Sequence, residues 1–296
     1  MKLIINKHTG RKLLRNNIRD KRMSDFAQEG DEDCPFCPGH QNMENCLRYE
    51  ETKGGCWVTR SIDNKFPALL CDEDKHVNGE IDYGRHEVMI ETCDHNKNFF
   101  DFSIEEYTCV VKMYKARFIE LSKDEKVESV IIYKNHLKSA GASKRHSHSQ
   151  ILSMSFIPPE LMNELKATIS ANDISEQSIV YENQNFIVFI PEDAFLSGEI
   201  IIRHKTSNRF ETTADHEIVD MAEVLRYVFQ KVEYVHGQIP FNIYIHSLPK
   251  HIENNDFRWH IHVIPRRGNF GGFELSTGLY INSLNTDEML EKFKER

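Results

Sequence analysis

The chain has 296 residues, of which 40% are hydrophobic and 28% charged, an ordinary composition for a globular protein with a substantial core. A formal net charge of -9 argues against a nucleic-acid partner. No run of residues approaches the roughly 18 apolar positions of a membrane-spanning helix, and the chain begins without a signal peptide, so we expect no membrane partner. Seven cysteines in such a chain fit reduced thiols better than disulfides, which predicts a cytoplasmic protein.

Two features near the N-terminus carry charge and thiols. Residues 7–26 form a basic arm, which is either solvated or folds over a phosphate with Arg19 and Arg22 as donors. Cys34 and Cys37 form a Cys-x-x-Cys knuckle with prolines and a glycine, which aims two thiolates at one point as tetrahedral zinc requires. A redox pair is the alternative, but no βαβ pattern precedes it. Zinc would need two further ligands, and histidines are the obvious source.

The first half continues with a strand exit, a strand and a helix. Asn64 precedes a proline turn, where it either serves a ribose or caps the turn. Residues 84–91 alternate as a strand. Ser103 and Glu106 form a capping box before a helix with apolar residues at helical spacing, and we interpret that apolar stripe as core.

The central stretch, residues 135–150, predicts a strand end, a turn that contains glycine, and a second strand. Side chains alternate along a strand, so His146, His148 and Gln150 point to one face. The turn before them offers N–H groups, hydroxyls and cations to an anion. An imidazole beside an anion site suits attack on phosphorus, whereas the alternative is a polar edge strand with ordinary histidines.

The second half repeats the order of the first. Its predicted elements are strand 186–190, strand 198–204, helix 215–235, strand 241–246 and strand 258–265, the last with a second His-x-His. Each half therefore reads strand, helix, strand, loop and His-x-His strand, which predicts a degenerate duplication of a roughly 110-residue unit. Only the first half has a glutamine two residues after its His-x-His. The second half has Ile264 at that position.

Motifs along nearly the whole chain resemble those of the galactose-1-phosphate uridylyltransferase branch of the histidine triad superfamily. They are Arg19-x-x-Arg22, Cys34-Pro-Phe-Cys37-Pro-Gly, Asn64-Lys-Phe-Pro-Ala-Leu, Gly84-x-His86-Glu-Val, Asp94-His95, Asn135, Gly141-x-Ser143-x-x-His146-x-His148-x-Gln150, His260-x-His262, Gly272-Phe273-Glu274, Thr277-Gly278 and Ile281-Asn282. The motif around His148 is specific, and the closing motifs look more like those of the ADP-glucose phosphorylase relatives.

The resemblance implies an α+β fold of duplicated histidine-triad-like units, with antiparallel sheets and helices packed on one face. The N-terminal half would span residues 1–175 and hold the zinc knuckle and the catalytic histidine. The C-terminal half would span residues 176–296, and the two would form one bilobed domain.

The resemblance also assigns roles to residues. His148 would attack the α-phosphorus of a nucleotide sugar and form a nucleotidyl-histidine, which a second phosphate resolves in ping-pong fashion. Gln150 would donate to a non-bridging oxygen, while Ser143 and Gly141 would hold the departing phosphate. The other substrate-binding residues would be Arg19, Arg22, Asn64, Asn135 and Glu274. A structural zinc would be bound by Cys34, Cys37, His95 and His146. A second metal, iron or zinc, would have the ligands Glu164, His246, His260 and His262, for which buried structural residues are the alternative.

Departures from the family pattern leave the sugar open. Ser147 and Ser149 stand where the galactose enzymes have Pro and Gly, and Tyr280 stands where a glutamine contacts the hexose. We expect a nucleotidyltransferase of the UDP-hexose/hexose-1-phosphate uridylyltransferase type. Its partners would be a nucleotide sugar and a sugar phosphate or phosphate, and the resemblance implies a homodimer. The alternatives are a phosphorylase or hydrolase of ADP-sugars or dinucleoside polyphosphates that uses the same histidine, and a non-catalytic nucleotide-binding protein.

Overall fold

The computed structural model describes residues 2–8, 10–15, 34–39, 46–71, 83–167, 174–194 and 196–295. The predicted phosphate donors Arg19 and Arg22 lie outside these residues. A short ribbon pairs β1 (Lys2–Ile5) with β2 (Lys12–Arg15). Among the helices in the described part of the chain, none has the length and apolar character needed to cross a bilayer.

One continuous sheet, in which ten strands of the described residues pair antiparallel, forms the body of the molecule. Its strands are β3 (Leu47–Lys53), β4 (Cys56–Asp63), β5 (His86–Ile90), β6 (Ser129–His136), β7 (His148–Met154), β8 (Ile179–Glu182), β9 (Phe186–Phe189), β10 (Ile200–His204), β11 (Phe241–His246) and β12 (His260–Pro265). They lie side by side in the order β3-β4-β5-β7-β6-β11-β12-β10-β9-β8. Read outward from the centre, β6-β7-β5-β4-β3 matches β11-β12-β10-β9-β8. The predicted α+β duplication is therefore confirmed, and the sheets of the two halves join edge to edge into one.

The halves meet where β6 pairs with β11. Tyr133 lies opposite Tyr244, and Asn135 lies opposite Asn242. Because each half supplies the strand that covers the other's inner edge, β6 and β11 are interior strands of the sheet and not exposed edge strands.

Two long helices cover one face of the sheet, α1 (Ile104–Ser122) and α3 (Asp215–His236), and they pack against each other. The predicted capping box starts α1: the Ser103 hydroxyl accepts from the Glu106 N–H at 3.2 Å, and the Glu106 carboxylate accepts from the Ser103 N–H at 2.7 Å. The predicted apolar stripe of α1 is buried in the main core, and so are apolar residues along α3.

The face under α1 and α3 is called the helix face and the opposite one the open face. On β6, Val130, Ile132 and Lys134 point to the helix face, whereas Tyr133 and Asn135 point to the open face. The described residues also form three shorter α-helices: α2 (Pro159–Lys166), α4 (Gly272–Thr277) and α5 (Thr286–Lys294). The alternation along β6 and β7 sends core residues one way and site residues the other.

Candidate active site and metal clusters

Four side chains from three distant segments converge just before β7. They are the predicted ligands Cys34, Cys37, His95 and His146, and their donor atoms lie within 4.8 Å of one another. His95 Nδ1 lies 3.3 Å from the Cys37 sulfur, and His146 Nδ1 lies 3.6 Å and 3.7 Å from the sulfurs of Cys37 and Cys34. Zn–S and Zn–N bonds at tetrahedral angles put neighbouring ligands about 3.6 Å apart. The donor set and its spacing therefore suit a tetrahedral metal ion.

Hydrogen bonding and burial set the protonation of this Cys/His cluster. His146 Nε2 lies 2.8 Å from the Thr92 carbonyl oxygen, so the ring donates there and turns Nδ1 towards the sulfurs. Burial lowers the pKa of His146, which keeps the ring neutral and able to bind a metal. Burial also raises the pKa of Cys34 to about 11, so its thiolate form needs a cation among the four ligands.

His148 opens β7 directly after the Cys/His cluster. Its Nδ1 lies 2.7 Å from the His146 carbonyl oxygen, which only accepts, so the ring proton is on Nδ1 and the lone pair on Nε2. The side chain is 4% exposed, and its ring centroid lies 5.2 Å from that of Phe36, which stands between the two cysteines. The segments that carry the Cys/His cluster therefore also supply the Phe36 ring and the His146 carbonyl that orient the His148 side chain.

Gln150 is the next residue on the open face of β7. Its Oε1 accepts from the Tyr133 hydroxyl at 3.0 Å and lies 2.9 Å from His86 Nε2 and 3.5 Å from Asn64 Nδ2. The structure therefore brings Asn64 next to Gln150. His86 and Tyr133 were not predicted as site residues, although His86 belongs to a quoted motif and Tyr133 shares the strand face of Asn135.

The turn between β6 and β7 is held by the other half of the molecule. Gly141 has φ +91°, which favours glycine, and its carbonyl accepts from Asn135 Nδ2 at 3.4 Å. Leu137 also has a positive φ of 65°, a strained value for a branched side chain. Asn242 of β11 donates to Asn135 Oδ1 at 2.7 Å. Ser143 follows in the same turn, so three predicted substrate residues lie on a segment that the second half supports.

A buried charged network lies under β7 on the helix face. Ser147 and Ser149, two of the departures from the family pattern, both donate to the Glu91 carboxylate, Ser147 at 2.6 Å. Lys134, 2% exposed, is ion-paired with Glu91 and donates to the Ser147 hydroxyl at 3.0 Å. Its ammonium also donates to the His148 carbonyl at 3.2 Å. The serine hydroxyls therefore tie the strand that carries His148 to a buried ion pair.

The same network reaches α1. The Tyr114 hydroxyl donates to Glu91 at 2.6 Å, and its oxygen lies against the Ser149 hydroxyl oxygen. Burial alone raises the pKa of Glu91, but Lys134 and the hydrogen bonds from the two serines lower it below its ordinary value. The carboxylate is therefore ionised in the native protein.

A second cluster occupies the open face of the other half, formed by the predicted ligands Glu164, His246, His260 and His262. Glu164 Oε2 lies 2.7 Å from His246 Nδ1 and 3.4 Å from His260 Nε2, and Oε1 lies 3.6 Å from His262 Nε2. His262 Nδ1 lies 2.6 Å from the buried Glu199 carboxylate, the kind of carboxylate partner that orients metal-binding histidines. Three imidazoles and a carboxylate suit iron or zinc.

Cavities lie beside this second cluster. A groove of about 1190 Å³ runs over the open face of the second half. Its lining residues include Tyr133, Asn135, Tyr244, His262 and Arg266. The predicted substrate residue Glu274 lies instead on α4 and lines a smaller cavity of about 250 Å³ with Arg266 and Tyr280.

Comparison with known proteins gives the relationship of the chain. The profile of the galactose-1-phosphate uridyl transferase N-terminal domain matches residues 7–158, just over half of the chain. A domain of unknown function, DUF4921, matches residues 91–296. ADP-glucose phosphorylase from Arabidopsis thaliana is 26% identical over 97% of this chain and 90% of its own length. Galactose-1-phosphate uridylyltransferase from Thermotoga maritima is 24% identical over 91% of each chain.

A solved structure agrees with these relationships. The crystal structure of the Arabidopsis ADP-glucose phosphorylase with bound ADP-glucose superposes with a TM-score of 0.81 at 26% identity, covering 100% of this chain and 99% of that one. The duplicated fold and these relatives define a nucleotidyltransferase enzyme. The chain belongs to the galactose-1-phosphate uridylyltransferase family.

Proposed function

We propose that the chain is a nucleotide-sugar nucleotidyltransferase that works through a covalent nucleotidyl-His148, and that its reaction is phosphorolysis of an ADP-sugar. The observation that carries the proposal is the fixed tautomer of His148. Because Nδ1–H donates to the His146 carbonyl at 2.7 Å, Nε2 keeps the lone pair that a nucleophile needs.

The first step forms the covalent intermediate. The Nε2 lone pair of His148 attacks the α-phosphorus, the N–P bond forms, and the bond from that phosphorus to the bridging oxygen breaks. Sugar 1-phosphate leaves with the bonding electrons. The Nδ1–H of the now cationic ring stays on the His146 carbonyl, and Gln150 donates to a non-bridging oxygen as charge develops.

The second step releases the nucleotide. An oxygen of inorganic phosphate attacks the same phosphorus, a P–O bond forms, and the N–P bond breaks to restore neutral His148. The product is a nucleoside diphosphate. Backbone and side-chain donors of the turn with Gly141 and Ser143 would hold the phosphate that leaves or enters, with Asn135 in the same pocket and Arg19 and Arg22 as further donors.

Zinc is the metal that we assign to the Cys/His cluster, because two thiolates and two imidazoles at these separations suit tetrahedral zinc. Bound there, zinc would act as a structural ion that fixes the approach to β7. For the second cluster we propose iron or zinc on Glu164, His246, His260 and His262.

The relatives support ADP-sugar as the donor. The Arabidopsis ADP-glucose phosphorylase matches 97% of this chain. The closing motifs around Glu274 also resemble those of the ADP-glucose phosphorylase relatives. UDP-hexose uridylyl transfer is the second candidate, because the Thermotoga uridylyltransferase also matches 91% of the chain. Phosphate as acceptor separates the first reaction from the second, in which the acceptor is a sugar phosphate.

We also propose that two copies of the chain form a homodimer of bilobed subunits, each made of halves 1–175 and 176–296. The segment around α4 supports this, because it exposes large apolar side chains that an isolated chain leaves in water. They are Phe273 at 48%, Leu275 at 62%, Leu279 at 64% and Ile281 at 65% exposure. Glu274 lies among these side chains, which fits a substrate-binding role that Glu274 takes on when two copies assemble. Leu275→Asp would shift sedimentation towards a monomer, whereas the control Val219→Asp, at an apolar side chain 44% exposed on α3, would not.

Isotope exchange tests the covalent mechanism. With ADP-glucose and no phosphate, radiolabelled glucose 1-phosphate will exchange into ADP-glucose, because the nucleotidyl-enzyme reacts back with either sugar phosphate. Phosphorolysis without any exchange would show direct displacement and exclude the covalent step. Exchange with UDP-glucose but not ADP-glucose would select the second candidate.

A further inference from the structure

Three elements direct donors at one atom of Gln150. Its Oε1 lies 2.9 Å from His86 Nε2 on β5, 3.0 Å from the Tyr133 hydroxyl on β6, and 3.5 Å from Asn64 Nδ2 after β4. Gln150 and His86 are 3% and 4% exposed. An amide side chain presents an acceptor on one side and donors on the other, so these neighbours decide which side faces the substrate.

The proton of His86 is fixed by the backbone. The N–H of Ala68 donates to His86 Nδ1 at 2.9 Å, so Nδ1 carries a lone pair. A neutral imidazole with an acceptor at Nδ1 has its proton on Nε2, and an imidazolium would have no acceptor at all. His86 Nε2 is therefore a donor, and the atom of Gln150 that it meets is the carbonyl oxygen.

We propose that His86 is a positioning residue that locks the Gln150 amide with its oxygen inward and its NH₂ group towards the α-phosphate. The inference rests on the proposed function, because it gives Gln150 the task of donating to a non-bridging oxygen. A reversed amide would instead direct a carbonyl oxygen at an anion, which repels it. The turn after β4 thereby influences the orientation of the Gln150 amide indirectly, since its Ala68 N–H sets the tautomer of His86.

The duplicated half supplies a matched control. His204 on β10 is 1% exposed, and its Nδ1 likewise accepts backbone N–H groups, from Thr206 at 3.1 Å and Ser207 at 2.8 Å. Its Nε2 lies 3.3 Å from the Glu217 carboxylate, whereas His86 Nε2 meets the Gln150 amide. Loss of the His204 ring therefore removes a buried strand histidine of the same type without touching Gln150.

A double-mutant cycle tests the proposal, with His86→Ala, Gln150→Ala and the combined variant assayed for phosphorolysis of ADP-glucose and exchange with UDP-glucose. Removal of a single donor to a developing oxyanion lowers kcat by roughly 10²- to 10³-fold, and we expect about that from Gln150→Ala. We expect roughly 10-fold or more from His86→Ala, with a smaller change in KM. In the Gln150→Ala background, His86→Ala will lower kcat no further, and His204→Ala will leave the kcat of the folded protein unchanged.

The outcomes separate this inference from the function on which it rests. Equal losses from His86→Ala with and without Gln150 would make His86 a purely structural residue and overturn the inference, while the covalent mechanism would stand. An unchanged kcat in Gln150→Ala would remove the role of Gln150 and the inference with it.

A second measurement does not depend on turnover. In ¹⁵N-histidine NMR spectra of the wild-type chain, the signals that vanish in His86→Ala should be those of a neutral ring with its proton on Nε2. A ring protonated on Nδ1, or on both nitrogens at pH 7, would contradict the proposed lock whatever the substrate is.

Discussion

The two His-x-His strands occupy equivalent places in the duplicated fold, but their histidines have different partners. In the first half, His146 turns Nδ1 to a cysteine pair, and His148 gives its Nδ1–H to a backbone carbonyl and keeps a lone pair on Nε2. In the second half, His260 has the carbonyl partner, while His262 is bound to Glu199 and faces Glu164. On the proposed function, the partner of the second histidine decides its chemistry. The carbonyl partner would leave His148 a nucleophile, whereas the carboxylate partner within a set of metal donors would make His262 a ligand.

The largest effect should come from removing the histidine that the comparison makes the nucleophile. His148→Ala should lower turnover by about 10⁴-fold or more and leave the fold intact, because it removes the proposed carrier of the nucleotidyl group. Steady-state phosphorolysis with circular dichroism of the same sample checks this. His262→Ala is the counterpart in the second half and should lower metal content while most turnover remains. Substantial activity in His148→Ala would make the comparison wrong.

Removing a cysteine ligand tests whether the Cys/His cluster is structural. Cys34→Ser should abolish zinc binding and lower the unfolding midpoint by about 5 °C or more, because binding energy at such a site is folding energy. Activity per folded molecule should fall less than stability does. Metal analysis and calorimetry measure the two effects. A zinc-free, fully stable and active Cys34→Ser protein would contradict the assignment of a structural zinc site to the Cys/His cluster.

The buried ion pair of Lys134 and Glu91 under β7 belongs to the first half. Lys134→Met leaves Glu91 as an uncompensated buried charge, which should destabilise the protein by about 3–5 kcal/mol. The double variant Lys134→Met with Glu91→Leu should recover much of that loss, since it buries no charge. Urea unfolding gives both values. Additive losses in the double variant would mean that the two side chains do not act as a pair.

The smallest effect concerns pH. Burial, with Lys134 nearby, lowers the pKa of His136 to about 3. The folded pKa lies below the unfolded value of about 6.5, so this contribution is complete above pH 6.5 and falls by about 1.4 kcal/mol per unit as the pH drops towards 3. Urea unfolding at pH 7.5 and 5.5 should show a smaller acid loss in His136→Phe, whose ring would still stack on Phe241. Identical losses in both proteins would contradict the shift.

Local signals in the sequence were enough to predict the secondary-structure elements and to identify the motif residues. Ser103 and Glu106 lie three residues apart, and the spacing of apolar residues along α3 needs no knowledge of partners. The convergence of Cys34 and His146 came from the family resemblance, because it depends on contacts across more than 100 residues. The structure brings these atoms together, whereas their roles stay predictions.

The supporting residues escaped sequence reasoning because they depend on strand order. Glu91 and Lys134 meet only because β7 lies between β5 and β6, an order that differs from the order along the chain. Asn242 reaches Asn135, beside the turn with Gly141, only because β11 pairs with β6. A lysine within an apolar run and a polar residue at a strand junction carry no local sign of such partners.

The central claim, a nucleotidyl group on His148, is tested most directly by intact-mass spectrometry. The protein is mixed with ADP-glucose, UDP-glucose or UDP-galactose in the absence of phosphate and of any added sugar phosphate. The account predicts a mass gain of one AMP from ADP-glucose, mapped to His148 and absent in His148→Ala. No adduct from any of the three donors, in protein with its metals bound and with measurable turnover, would contradict the covalent mechanism.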